Sequence, residues 1–127
     1  MLSKLFSSKA KETSIEWKNL TKLDELEALE RASEEKPVMI FKHSTRCGIS
    51  AMALNRFERA YEKEANFDPY YLDLIANREL SNEIANRYGV IHESPQALLI
   101  VEGKVVHDSS HNGIDFNEIN AVSANKN

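Results

Sequence analysis

Four consecutive apolar residues, Val38-Met39-Ile40-Phe41, follow Pro37 and give way at once to the polar stretch Lys42-His43-Ser44-Thr45-Arg46. A run of strand length with no polar face predicts a central strand covered on both sides. Pro37 suits the first position of such a strand, where a missing ladder donor is tolerated. Beyond the polar stretch stands Cys47, the only cysteine, at the start of a segment with helical periodicity. Ala51, Met52, Ala53, Leu54, Phe57, Ala60 and Tyr61 form its apolar side, and Arg56, Glu58, Arg59, Glu62 and Lys63 its wet side. Met52 and the aromatic residues have core spacing and are read as packing.

A lone cysteine is ordinarily a small buried residue. Here a polar loop precedes it, and a strand-to-helix turn in an α/β protein is where ligands and catalytic groups collect. A sulfur at a helix N-terminus meets the positive end of the macrodipole and unpaired N–H donors, and Lys42 and Arg46 bring cationic charge nearby in sequence. All three favour thiolate and predict a reactive thiol.

The remaining segments supply the rest of an α/β domain. Ser14-Ile15-Glu16-Trp17 alternates as a short strand does, and Thr21 with Asp24 has the spacing of a capping box before a helix near residues 22–34 carrying Leu23, Leu26, Leu29 and Ala32. Pro69-Tyr70-Tyr71-Leu72-Asp73-Leu74-Ile75 reads as a strand parallel to the first, the two joined by the Cys47 helix in a right-handed βαβ unit. Asn77 can cap a helix through Leu80, Ile84, Ala85 and Tyr88, and Gly89 can stop it in the left-handed conformation. Ala97-Leu98-Leu99-Ile100-Val101, turning at Glu102-Gly103 into Lys104-Val105-Val106-His107, predicts a hairpin. Asp115 and Glu118 can box a last short helix with Phe116, Ile119 and Val122.

At 127 residues the chain is expected to form one domain over residues 14–122, between tails at residues 1–13 and 123–127. Leu2, Leu5 and Phe6 have helical spacing, so the first tail is either frayed or a short docking helix. A net charge of −4 without a long basic run argues against nucleic acid, and no apolar stretch has the length of a membrane span. With one cysteine there is no intramolecular disulfide, so any redox chemistry must borrow its second sulfur, and the cytoplasm is the expected compartment. His107 and His111 do not make metal-ligand spacing, and no metal or bound cofactor is expected.

The element order β-α-β-α-β-α-β-β-α resembles the thioredoxin fold. Lys36-Pro37, the cysteine at the helix start, Tyr88-Gly89-Val90 before Ser94-Pro95, and Leu98-Leu99-Ile100-Val101-Glu102-Gly103-Lys104 agree with it locally. That resemblance implies a mixed central sheet flanked by helices, and a cis Ser94-Pro95 bond facing the cysteine. The stretch from Phe41 to Ser50, with Ser94-Pro95-Gln96 and Ser109-Ser110-His111, is similar to the YtxJ family of monothiol bacilliredoxins. The usual motif of that family is Thr-Cys-Pro-Ile-Ser; here Cys47, Ile49 and Ser50 match, while Arg46 and Gly48 replace the threonine and the proline.

The resemblance implies thiol–disulfide exchange on S-bacillithiolated client proteins, with bacillithiol as co-substrate, Cys47 as nucleophile and a second thiol as the reductant that clears its mixed disulfide. Arg46 and Lys42 would steady the thiolate and meet the carboxylates of bacillithiol, and Ser94 and Pro95 would hold the incoming disulfide. Ser50 stands where dithiol relatives have a resolving cysteine, and its hydroxyl either reaches the thiolate or satisfies backbone in the first helical turn. His43 is either a proton carrier near the thiol or a structural residue ending its strand. Two rival readings exist. Cys47-Gly48-Ile49-Ser50 also resembles the motif of monothiol glutaredoxins that carry an iron–sulfur cluster between protomers, and a thioredoxin-like stress adaptor would leave the cysteine unused.

Overall fold

In the computed structural model, residues 15–125 apart from Lys63 are described. Five strands and four α-helices alternate: β1 (Lys18–Asn19), α1 (Leu23–Ala32), β2 (Val38–His43), α2 (Gly48–Ala60), β3 (Asp68–Asp73), α3 (Arg78–Tyr88), β4 (Gln96–Val101), β5 (Lys104–Ser110) and α4 (Phe116–Asn125), with a single 3-10 turn at His111–Gly113. The sheet order is β1-β3-β2-β4-β5. β1 and β2 run parallel to β3, whereas β4 is antiparallel to β2 and β5 antiparallel to β4.

The apolar run becomes the central strand, and every residue from Val38 to His43 is buried. Successive side chains alternate across the sheet. Val38 and Ile40 join Leu26, Leu29, Leu80 and Ile84 on the α1/α3 face, and Met39 and Phe41 join Ala53, Phe57, Phe116 and Ile119 on the α2/α4 face. Phe57 anchors the second layer, with its ring 5.6 Å from that of Phe41 and 5.7 Å from that of Phe116, both edge-on. The hairpin turns where expected, Glu102 and Gly103 taking φ of 52° and 76°, the left-handed pair that a two-residue hairpin needs. Gly89 ends α3 at φ 65°.

Several local expectations are corrected. The first strand is Lys18–Asn19, and of the expected stretch Ile15 to Trp17 are not in it while Ser14 lies outside the described residues: pairing begins where Lys18 meets Tyr70, and Trp17 turns into the aromatic layer with Nε1 donating to Glu58 Oε2 at 2.7 Å. Because Lys22 is the N-cap of α1, Glu25 and not Asp24 takes the third helical position, and its Oε1 accepts from Thr21 N–H at 2.7 Å. Leu23 is exposed. Asn77 is the N-cap of α3 but makes no capping bond, because its Nδ2 donates back to Asp73 O. The last helix runs on to Asn125 and buries Ser123, so residues 123–125 belong to it and not to a tail. Met52 faces outward at 68% exposure, because it lies one turn before Arg56 on the wet side of α2 and off the buried stripe of Ser50, Ala53 and Phe57. The proposed docking helix at Leu2, Leu5 and Phe6 lies outside the described residues.

Candidate active site

Cys47 is the N-cap of α2, at the carboxyl end of β2, with extended backbone (φ −114°, ψ 122°). The chain turns into it through Ser44, whose carbonyl accepts the Cys47 N–H at 3.2 Å, and the Cys47 carbonyl opens the helix by accepting from Ala51 N–H at 3.1 Å. The sulfur makes no capping hydrogen bond, and the residue is half-buried. A thiol so placed is reachable and stands at the start of the helix.

Ser50 lies one turn further and is fully buried. Its Oγ accepts the Ser44 N–H at 3.0 Å and lies 2.8 Å from His43 Nδ1. The hydroxyl thus ties the turn before Cys47 to the strand beneath it, which is the backbone-satisfying role of the two considered. His43 follows the odd-numbered series onto the α2 side and packs against the Tyr71 ring at 5.8 Å. Burial lowers its proton affinity, partly offset by Asp73 and Glu58, so its buried ring is held neutral at pH 7.

Lys42 is corrected most. It follows the even-numbered series onto the opposite face of the sheet, where it is fully buried. Nζ donates to Ser81 O on α3 at 3.2 Å and approaches His92 Nδ1 at 3.3 Å. Burial lowers its pKa from 10.5 to about 8. An ammonium enclosed there touches neither solvent nor a ligand at the surface, so Lys42 is not a substrate contact.

Arg46 is exposed beside Cys47, with no ion pair among the described residues. A side chain at Gly48 would project into open space, so nothing in the packing demands glycine there. The antiparallel register sets Lys42 opposite Gln96. The segment after β2 and the segment before β4 therefore leave the same end of the sheet on adjacent strands, which brings Ser94 and Pro95 alongside the Cys47 turn. The Ser94-Pro95 bond is cis, as the fold resemblance implied. Pro95 O accepts the His111 N–H at 3.0 Å, and the Ser94 hydroxyl is buried without a partner among the described residues. Ile49 (57% exposed), Met52 (68%) and Ile91 (82%) bare apolar surface on the helix and loop that flank the thiol.

A five-stranded mixed sheet between two helix layers, with one accessible thiol at the helix start after the central strand, defines a monothiol protein of the thioredoxin fold. Residues 18–119 match the model of the monothiol bacilliredoxin BrxC family, and the chain belongs to that family. It is similar to a solved structure described as a proposed oxidoreductase with a thioredoxin fold: 35% identity, TM-score 0.71, covering 84% of this chain and 92% of the other. A thioredoxin of Malassezia sympodialis has 17% identity and a TM-score of 0.68 over 89% of this chain and 92% of its own. Thioredoxin f from spinach chloroplast has 18% identity and a TM-score of 0.63, over 92% and 89%. The last two likenesses concern the fold alone. Family and fold together support thiol–disulfide exchange. Among the described residues no helix is long and apolar enough to cross a membrane.

Proposed function

We propose that the protein removes bacillithiol from S-bacillithiolated cysteines of client proteins. The observation that carries this reading is the half-buried Cys47, its sulfur without a capping bond at the start of α2, with Ser50 and not a second cysteine one turn on. The Cys47 thiolate attacks the bacillithiol sulfur of the client's mixed disulfide. A new sulfur–sulfur bond forms, the old one breaks, and the client leaves as a thiolate that takes a proton from solvent. Ser50 has no sulfur with which to displace the adduct, and its Oγ is occupied by Ser44 and His43. A second, low-molecular-weight thiol therefore attacks the bacillithiol sulfur, regenerates Cys47 thiolate and leaves as a disulfide with bacillithiol.

Arg46 is exposed beside the thiol, where its guanidinium can pair with a carboxylate of bacillithiol. The bare apolar side chains of Ile49, Met52 and Ile91 favour a protein client over a free small disulfide. We place the reaction in the cytoplasm, with bacillithiol as co-substrate and no resident metal or cofactor. A bacillithiolated protein incubated with the reduced chain and a thiol reductant is expected to lose its adduct. Cys47→Ser must abolish the loss, and equal removal by wild type and variant would end the proposal.

A further inference from the structure

Two buried polar side chains on the α1/α3 face have no part in the exchange step, and both reach the same loop. Lys42 and Gln96 are register partners on β2 and β4, at 0% and 1% exposure. Gln96 Nε2 donates to Ile91 O at 3.0 Å, and its Oε1 accepts the Glu93 N–H at 3.3 Å. Lys42 Nζ lies 3.3 Å from His92 Nδ1 and is itself anchored on Ser81 O of α3. An ammonium only donates, so His92 takes this contact with the Nδ1 lone pair. Three consecutive loop residues, Ile91, His92 and Glu93, are thus each held from the core. The backbone is pinned while Ile91 points its side chain outward at 82% exposure. Ser94 and Pro95 follow immediately, and His111 N–H holds the Pro95 carbonyl from the β5 side.

We infer that Lys42 and Gln96 are positioning residues, a buried clamp that fixes the 91–95 loop at the distance from Cys47 at which a client's disulfide is received. A buried lysine with no carboxylate partner costs stability, and an apolar residue of the same length would fill the space without that cost. Placing the loop is what the cost obtains. The inference rests on the exchange reading of Cys47 and assigns the loop's geometry to residues that never meet the substrate. Small misplacements of a docking loop slow a reaction that depends on alignment and leave untouched one that needs only a free thiolate.

The test uses Lys42→Met and Gln96→Leu in the full chain, each verified as folded by circular dichroism. Two second-order rates are measured, that of Cys47 with a bacillithiolated peptide and that with iodoacetamide, which needs no loop. The clamp predicts that the peptide reaction slows about tenfold or more while alkylation stays within about twofold of wild type. It also predicts about tenfold faster hydrogen exchange of the amides of residues 91–94 in both variants. A merely structural role would lower or raise stability and leave the ratio of the two rates unchanged; an unchanged ratio or unchanged amide exchange overturns the inference. Should the core variants not fold, His92→Ala, which removes the loop partner of Lys42 from a part-exposed position, must show the same selective loss. A wild-type chain that is alkylated but ignores the peptide would end the exchange reading, and amide exchange then decides the clamp alone.

Discussion

Gly48 opens α2 at the first helical position, where a fixed φ and a missing N–H suit proline. Cys47 before it is already extended (φ −114°, ψ 122°), the conformation that a following proline imposes, and the space around Gly48 is open. Gly48→Pro is therefore expected to stabilise the chain by about 0.4–1 kcal/mol, through a less flexible unfolded state. A urea titration checks it, and a lower midpoint would contradict the packing described. Ser50 makes the opposite prediction. Ser50→Ala strands a backbone N–H and a buried imidazole nitrogen and should cost about 1–3 kcal/mol. Denaturation of that variant measures the cost, and an unchanged midpoint would show that the Ser44–Ser50–His43 contacts carry no stability.

At the scale of elements, β2 shows both how much the sequence reveals and where it stops. The Val38-to-Phe41 run announces a strand covered on both faces, the lone cysteine after it announces a helix start, and Glu102-Gly103 announces the hairpin. The strand then continues through Lys42 and His43, because α3 and the 91–95 loop cover one face and α2 the other. Alternation sends Lys42 away from the thiol, but a reader of the sequence who ends the strand at Phe41 has no reason to apply it. The signal available was Gln96, a polar residue opening an apolar strand, yet its pairing with Lys42 is a matter of register. Met52 differs for another reason: it is four residues before Arg56 on the wet side of the helix, and apolar character alone does not put a residue on the buried stripe of Ser50, Ala53 and Phe57. The burial of Lys42 also fixes a pH dependence. Its pKa near 8 lies below the ordinary 10.5, so between those values the unfolded chain holds a proton that the folded chain has released. Unfolding then takes up a proton, and the stability penalty, full below pH 8, fades as pH rises toward 10.5. Lys42→Met should accordingly be more stable than wild type by about 1–3 kcal/mol at pH 7, with the advantage shrinking above pH 8. Paired urea titrations at pH 7 and 9.5 test it, and a constant difference would show that the ammonium bears no burial cost.

Across the whole molecule, the topology gathers the chemistry at one end of the sheet's strands. β1, β3 and β2 are parallel and end there, β4 begins there, and so the Cys47 turn and the 91–95 loop emerge side by side although Cys47 and Ile91 stand 44 positions apart in the sequence. One thiol, flanked by an exposed arginine and bare apolar side chains, suits a reaction in which the partner brings the second sulfur. The most direct test is intact-mass spectrometry of the reduced protein after brief exposure to bacillithiol disulfide and, separately, to glutathione disulfide, with Cys47→Ser beside it. The account predicts rapid gain of one bacillithiol on Cys47, much faster than any glutathione adduct, and none on the variant. No adduct on the wild-type chain, or one that persists when Cys47 is replaced, would contradict it.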